Sequence, residues 1–559
     1  MPRPMIRKLA KTLRRWAGRS EAVEAAQPLL AGYHRSPPRW IIYGSLAVLA
    51  IFSLIYGFAF GIMAPARMLP FVVPMVLAGG LILWCLPPGE YAPTRAIEPL
   101  FVAFFAALIL WPNYLAIGIA SLPWITMLRL TGTPMVLIFL ACISISASFR
   151  AYMWKILSTE KVMLRLIVAL VGLWTFSLVM SSDPGLSVNR YALAMVNLIG
   201  IFFVSCYLFS RQGFAEMWVR SLLFMLGFLC LVGLWEFRIQ GPPWAGHIPN
   251  FLKIDDPIVQ GILAGAVSRT GIYRIKVTAT TPLGLGELLG LAMPFAMHLL
   301  IGRYPLMLRI AAGLLIPLIC WAILLTDSRL GFVAACASAL FYLFFWALLK
   351  WRQDRKSILA PALVLAYPAL FTAFMIATFA IGRLRAEFWG TGNQQYSTQG
   401  RLDQWAMGIP KVIKNPIGHG IGQGAQALGY ANLGGVVTID SYWLSVLLEI
   451  GVVGFLVFYG LMLRGAYTAA RTVVIMGNRG EMGLMLPLAV ALLNFVIVKM
   501  VFSQDANHPL TFMMLGAVVA LNFRAKEQLE AMAPTPVAEP VVAAVKRRRG
   551  RLMPALRRS

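Results

Sequence analysis

Charge is scarce in this chain. Of its 559 residues only 13% are Asp, Glu, Lys or Arg, and acids number just 22. A soluble globular domain carries roughly a quarter charged residues, so a water-facing surface on all sides is excluded. Cysteine is equally sparse. Cys85, Cys142, Cys206, Cys230, Cys320 and Cys336 all sit in apolar segments and none forms a CxxC pair, so neither a disulfide framework nor a thiolate metal site is expected. His34, His247 and His298 show no ligand spacing, and no metal is expected. Polar and apolar residues do not alternate in segments of about ten, which excludes a membrane β-barrel. There is no internal repeat, and no low-complexity stretch other than the C-terminal tail.

Apolar runs fill the space that charge leaves: 59% of the residues are hydrophobic. Runs of about 20 such residues recur, each long enough to cross a bilayer core of about 30 Å. The expected fold is all-α: a polytopic integral membrane protein with about 12–14 transmembrane helices. About fourteen candidate spans lie near 40–63, 68–86, 99–120, 131–148, 162–181, 191–210, 218–238, 282–301, 307–326, 330–349, 358–381, 441–463, 484–503 and 507–523. They divide the chain into a basic N-terminal segment, 1–39, a helical membrane domain, 40–523, and a basic tail, 524–559.

The net charge of +27 does not point to nucleic acid. Residues 1–39 hold nine cations against two acids, and residues 524–559 hold nine against three, so nearly half the excess sits in the two tails. Basic tails flanking membrane spans mark the cytoplasmic side and favour anionic lipid. RKLAKTLRRWAG has the pattern of a basic amphipathic helix on a membrane surface, with no apolar core behind it to make a cleavable signal. The tail APTPVAEPVVAAVKRRRGR reads as disordered. With the N-terminus inside, the predicted inner loops, including FRAYMWKILSTEK and KWRQDRKS, are basic as the positive-inside rule requires.

Two predicted outer loops break that rule. Residues 382–440 contain Arg383, Arg385, Arg401, Lys411 and Lys414, and residues 239–281 contain Lys253, Arg269, Arg274 and Lys276. Long loops in a compact helical protein usually have a use. Solvated charge on a long loop is the plain reading, but Arg suits bidentate contact with phosphate. Ionisable residues in or beside the spans also gather towards the same face: Glu236, Glu287, Asp327, Arg329, Lys499, Asp505 and His508. Such residues seldom face lipid, so they are expected to line a cavity open to the outside or to pair between helices. If RLDQWAMGIPKVIK is a helix, Arg401 and Trp405 share a face. Gly418, Gly420, Gly422 and Gly424 permit close backbone approach, but no strand–helix unit surrounds them to make a nucleotide fingerprint.

GRLDQWAMGIPKVIKNPIGHGIG, a spacer, and TIDSYWLSVLLEIGVVGFLVFYG together resemble the signature region of the O-antigen ligase and O-antigen polymerase superfamily. Arg401, Trp405, Pro416, Gly418, Gly420, Asp440, Leu444, Glu449 and Gly451 fit that pattern, Ser328 and Arg329 match its Ser-Arg pair at a helix head, and Arg274 matches an Arg placed ahead of the next span. The matches cover about 270–460.

The resemblance implies a metal-independent, inverting glycosyltransferase of the lipid-sugar (GT-C-like) type, without a cofactor, in the bacterial inner membrane. Both termini would be cytoplasmic and the large loops periplasmic. It would move a glycan from undecaprenyl diphosphate to a sugar hydroxyl at the periplasmic face. Arg401, Arg329 and Arg274 are the implied diphosphate ligands, with Lys499 in support, because a departing diphosphate needs fixed positive charge. A general base must reach the acceptor hydroxyl. Family ligases typically carry His at the loop exit. Here Asp440 stands there, with His419 and Asp403 as further candidates. Trp405, Tyr396 and Trp443 are candidates to stack on sugar faces, with packing as their plainer role. The departure at Asp440 leans towards an exopolysaccharide or O-antigen polymerase, with a ligase acting on lipid A–core as the alternative and a lipid-linked oligosaccharide flippase as the rival class. Expected partners are the lipid-linked glycan, membrane lipids, and chain-length regulator or export proteins. Nucleic acid is not one.

Overall fold

A computed structural model of the protein describes residues 78–89, 91–117, 124–252, 257–263, 273–356, 358–382, 395–431, 435–477 and 480–532, with isolated positions at 43, 385 and 389. The basic segment 1–39, the first expected span, most of the second, and the tail beyond residue 532 lie outside the described residues.

The architecture is an all-α bundle. Its helices are α1 (Ile97–Leu110), α2 (Met127–Ile145), α3 (Ala147–Leu157), α4 (Lys161–Ser177), α5 (Pro184–Phe209), α6 (Phe214–Ile239), α7 (Pro257–Leu263), α8 (Pro282–Ile301), α9 (Leu306–Leu325), α10 (Arg329–Gln353), α11 (Leu359–Ala380), α12 (Gln395–Lys414), α13 (Gly424–Leu428), α14 (Tyr442–Met476), α15 (Met485–Lys499) and α16 (His508–Met532). A two-residue antiparallel pair, β1 (Ala116–Ile117) and β2 (Ile125–Thr126), follows α1. Among the described residues nine helices are long and apolar enough to cross a membrane: α2, α5, α6, α8, α9, α10, α11, α14, and α15 with the 3-10 turn before it, Gly480–Lys499.

Every expected span within the described residues coincides with a helix. Three fall short of those nine in length or apolarity. α1 stops at Leu110, where the chain turns extended at Trp111. α4 ends at Ser177. α16 continues past residue 523 to Met532, so the first residues of the 524–559 segment are helical, and APTPVAEPVVAAVKRRRGR lies outside the described residues. Ion pairs hold that extension, Arg524 to Glu481 at 2.6 Å and Lys155 to Glu527 at 2.6 Å.

Small residues set the packing at the centre. A Cβ on Gly286 would stand 3.0 Å from the Gly331 Cα, and one on Gly290 would stand 2.5 Å from the Ala334 Cβ, so α8 and α10 touch backbone to backbone. Close approach of this kind is the usual basis of helix association in lipid. Asn494 of α15 donates into the same seam, to the Ala334 carbonyl at 3.0 Å and the Ser338 hydroxyl at 2.7 Å. α8 is buried from Leu285 to Leu299, while α11 shows Leu365, Leu370, Phe371, Ile376 and Phe379 on its exterior, as a lipid-facing helix would.

α2, α5, α8, α10 and α14 begin at one end of the bundle. Each is capped there by a side chain that accepts a first-turn N–H: Thr126, Asp183, Thr281, Ser328 and Ser441. That end also receives α12 and the loops expected on the outer face.

Candidate functional site

α12 rests on this capped end, and its attachments are regularly spaced. Arg329, the first residue of α10, donates to the Thr398 hydroxyl at 3.3 Å. Gln404 accepts the backbone N–H of Asp440 at 2.8 Å. Gly408 meets Leu444, where a Cβ would stand 2.6 Å from a Leu444 methyl. Thr398, Arg401, Gln404 and Gly408 recur at three- and four-residue spacing, so they share a face. Arg401 therefore lies between the contact with Arg329 and the contact with Asp440. Trp405 packs against the buried cluster of Val412, Leu428, Ile439, Leu444 and Leu448. Asp403 faces outward and accepts from Gln399 at 2.9 Å. Tyr396 is in the first turn of α12, and its side chain lies outside the described residues. Lys411 seals the far end, donating to the carbonyls of Ala427 at 3.0 Å and Leu428 at 2.7 Å.

The glycine string docks into a break in α14. Gly451 has φ 71 and ψ −173 inside the helix. That conformation frees the carbonyls one turn before it, and the loop takes them. His419 N–H donates to Leu448 O at 2.8 Å and Gly420 N–H to Glu449 O at 3.0 Å, while Val452 N–H returns to Pro416 O at 3.0 Å. Only glycine fits at the crossing: a Cβ on Gly451 would stand 2.1 Å from Pro416 O. The Glu449 carboxylate accepts from Ser445 Oγ of its own helix at 2.7 Å and lies against the loop, with Oε1 2.9 Å from where a Cβ on Gly424 would stand. The His419 ring is turned to backbone, with Nδ1 3.1 Å from Leu448 O. On its other side the loop meets α4 and α5 through the Ile421 amide on Ser177 Oγ, 3.2 Å, and Ser187 Oγ on Ile421 O, 2.7 Å.

Lys499 and Glu287 form a pair 2.7 Å apart with both side chains fully buried. Lys499 also donates to Gln504 O at 2.5 Å, and the rings of Phe502 and Phe495 lie 4.8 and 5.3 Å away. Asn507 donates to the second Glu287 oxygen at 2.8 Å. The turn between α15 and α16 is thereby fixed, and Ser503 in it donates to Ile439 O at 2.5 Å, beside Asp440. Lys499 thus supports the wall behind Asp440 instead of presenting its charge to the exterior. Trp443 donates to Val496 O at 3.1 Å and packs edge-on to Phe455 and at a tilt to Tyr459, a packing position.

Arg274 is buried and donates to the carbonyls of Thr326 and Asp327 at 2.8 and 2.9 Å. It holds the turn from which Ser328 and Arg329 start α10. The segment around it is pinned to α6, where Glu236 accepts from the amides of Lys276 and Val277 at 3.0 and 2.7 Å and from Tyr273 Oη at 2.8 Å. Burial pushes the Lys276 ammonium below its usual range, against the pull of Glu236.

Arg129 and Arg190, two cations not singled out from the sequence, stand at the same end. Arg190 Nη1 is 3.4 Å from Asp505 Oδ2. Both arginines sit at the head of an apolar run, and that position was the available signal. Among the described residues no cluster of three or more His, Cys, Asp or Glu is placed to hold a metal ion.

The comparison with curated proteins gives no match. The comparison with family models matches residues 312–459 to O-antigen ligase. That segment takes in Arg329, Arg401, Trp405, His419, Asp440, Glu449 and Gly451, while Arg274 and Lys499 fall on either side of it. Residues 312–459, about a quarter of the chain, are thus similar to the O-antigen ligase family, and this match supports a place among the O-antigen ligases and polymerases.

Proposed function

We propose that this protein is an inner-membrane glycosyltransferase of bacterial surface-polysaccharide assembly, and that it acts as a polymerase. It takes a glycan from undecaprenyl diphosphate at the periplasmic face and joins it to a sugar hydroxyl of another carrier-linked unit. Support comes above all from one arrangement: a single face of α12 holds Arg401 between its contacts with Arg329 and Asp440.

In the proposed step the acceptor hydroxyl oxygen attacks the anomeric carbon from the face opposite the diphosphate. The new C–O bond forms as the bond to the diphosphate oxygen breaks, and the electron pair leaves with the diphosphate. Arg401 and Arg329 stabilise the charge that develops there. Asp440 takes the proton from the attacking hydroxyl, and the configuration inverts. Arg274 acts through the turn it holds, and Lys499 through the wall behind Asp440. Chain-length regulator and export proteins are proposed partners.

Ligation to lipid A–core is the second reading, favoured by the description of the matched family. A flippase would need a polar path along the bundle. The ionisable groups of the candidate site concentrate at one end, and α8 is buried from Leu285 to Leu299. The test is a gel of surface and carrier-linked glycans from a deletion strain complemented with the wild type or Arg401→Ala. Single repeat units accumulating on the carrier support the polymerase. Long chains accumulating on the carrier, with bare lipid A–core, would replace it with a ligase. Units trapped on the cytoplasmic side would overturn the enzyme reading.

A further inference from the structure

The capped end holds a second pair of arginines that the proposed transfer does not use. Arg129 is in the first turn of α2 and Arg190 in the second turn of α5. Asn189, next to Arg190, accepts from Arg129 Nη2 at 3.5 Å. That contact brings the Arg129 guanidinium to the turn of α5 that carries Arg190. Arg129 Nη1 also donates to Trp124 O at 2.8 Å, which aims the group along the rim. The carboxylate paired with Arg190 is Asp505, and the side chains of Arg190 and Asp505 are 48% and 61% exposed. A 3.4 Å pair so open to water contributes little and is easily exchanged for a better anion. The other acid near Arg190, Glu449, is already engaged by Ser445, and no ion pair to Arg129 occurs among the described residues, so Asp505 is the acid an incoming anion would displace.

The position suits a lipid-borne phosphate. Arg190 lies against the glycine loop, with its Cγ 2.7 Å from where a Cβ on Gly422 would stand, so the pair adjoins the loop that links α12 to Asp440. Tyr191 and Thr175, 3.0 Å apart, join α5 to α4. Exposed apolar side chains lead away from this corner: Leu130 and Leu137 on α2, and Phe176, Val179 and Met180 at the end of α4. Arginines at the rim above an exposed apolar track match a diphosphate on a prenyl chain.

We propose that Arg129 and Arg190 form a second phosphate site, which holds the carrier diphosphate of the acceptor substrate. The proposal rests on the polymerase reading. A polymerase uses carrier-linked material as both donor and acceptor, so two diphosphates must stand at one mouth. Asp505 occupies the second site until the acceptor arrives.

The experiment is a binding titration of the purified full chain in phosphatidylcholine nanodiscs, with undecaprenyl diphosphate as the probe. The wild type should show two phases. Arg401→Ala should remove one. Arg190→Ala or Arg129→Ala should weaken the other by about tenfold or more, Arg190→Lys should weaken it less, and Asp505→Asn should tighten it. Thermal unfolding of each variant identifies any that misfold, and Asp505→Asn, which gains affinity, does not depend on that control. A single phase that only Arg401→Ala affects would overturn this inference and leave the donor site standing. A single phase that only the Arg129 and Arg190 variants affect would sink the donor reading instead. Displacement of the Arg190-dependent phase by added phosphatidylglycerol would make the site a general lipid-headgroup site and overturn its assignment to the acceptor.

Discussion

Gln404 accepts the backbone N–H of Asp440 at 2.8 Å, one helical turn from Arg401. This bond sets the distance between a charge proposed to receive the leaving group and a carboxylate proposed to receive the proton. Gln404 itself is buried and has no part in the chemistry. Gln404→Ala should therefore lower polymer formation by about 10- to 100-fold through misplacement alone. Western blotting of membranes should show unchanged protein.

Arg401→Ala and Arg329→Ala should each reduce the transfer rate by about 100- to 1,000-fold, the usual effect of removing one stabiliser of developing negative charge. Arg401→Lys should also fail if the contact with diphosphate is bidentate, because an ammonium cannot reproduce the guanidinium fork. Initial rates with a lipid-linked repeat unit measure both effects.

Glu287→Gln would leave the buried Lys499 ammonium without its counter-ion. Breaking a buried pair from one side costs about 3–5 kcal/mol, while replacing both partners by apolar groups is often neutral. The double variant Glu287→Met with Lys499→Met should thus unfold at a higher temperature than Glu287→Gln alone. Lower stability of the double variant would contradict a mainly structural role for the pair.

Gly451→Ala should disturb the site from within the membrane. Its φ of 71 is unfavourable for a residue with a side chain, and its Cβ would meet Pro416 O at 2.1 Å. Strain of this kind costs about 1–3 kcal/mol before the clash is counted. Limited proteolysis should show the 415–424 loop cut faster in Gly451→Ala than in the wild type.

The helices were legible because lipid demands long apolar runs, and such runs are local patterns. Arg401 and Trp405 could be placed on one face from spacing alone, and α12 places them so. Partnerships across the chain were not legible. Nothing in a period of 3.6 pairs Glu287 with Lys499 or brings Ser503 to Ile439, since these depend on which helices become neighbours. The break at Gly451 was hidden inside an uninterrupted apolar run and shows only through the loop that fills it. Arg129 and Arg190 escaped notice because each stands just ahead of its expected span, where a cation reads as an ordinary helix flank. The same ambiguity applied to Arg274 and Lys499, whose charge was legible but whose carbonyl and carboxylate partners were not.

The most direct measurement is reconstitution of the purified protein in nanodiscs with a single lipid-linked repeat unit and no other protein. Carrier-linked chains of two or more units, with release of undecaprenyl diphosphate, are the predicted result, and Arg401→Ala should form none. An intact repeat unit after prolonged incubation with folded wild-type protein would contradict the proposed polymerase.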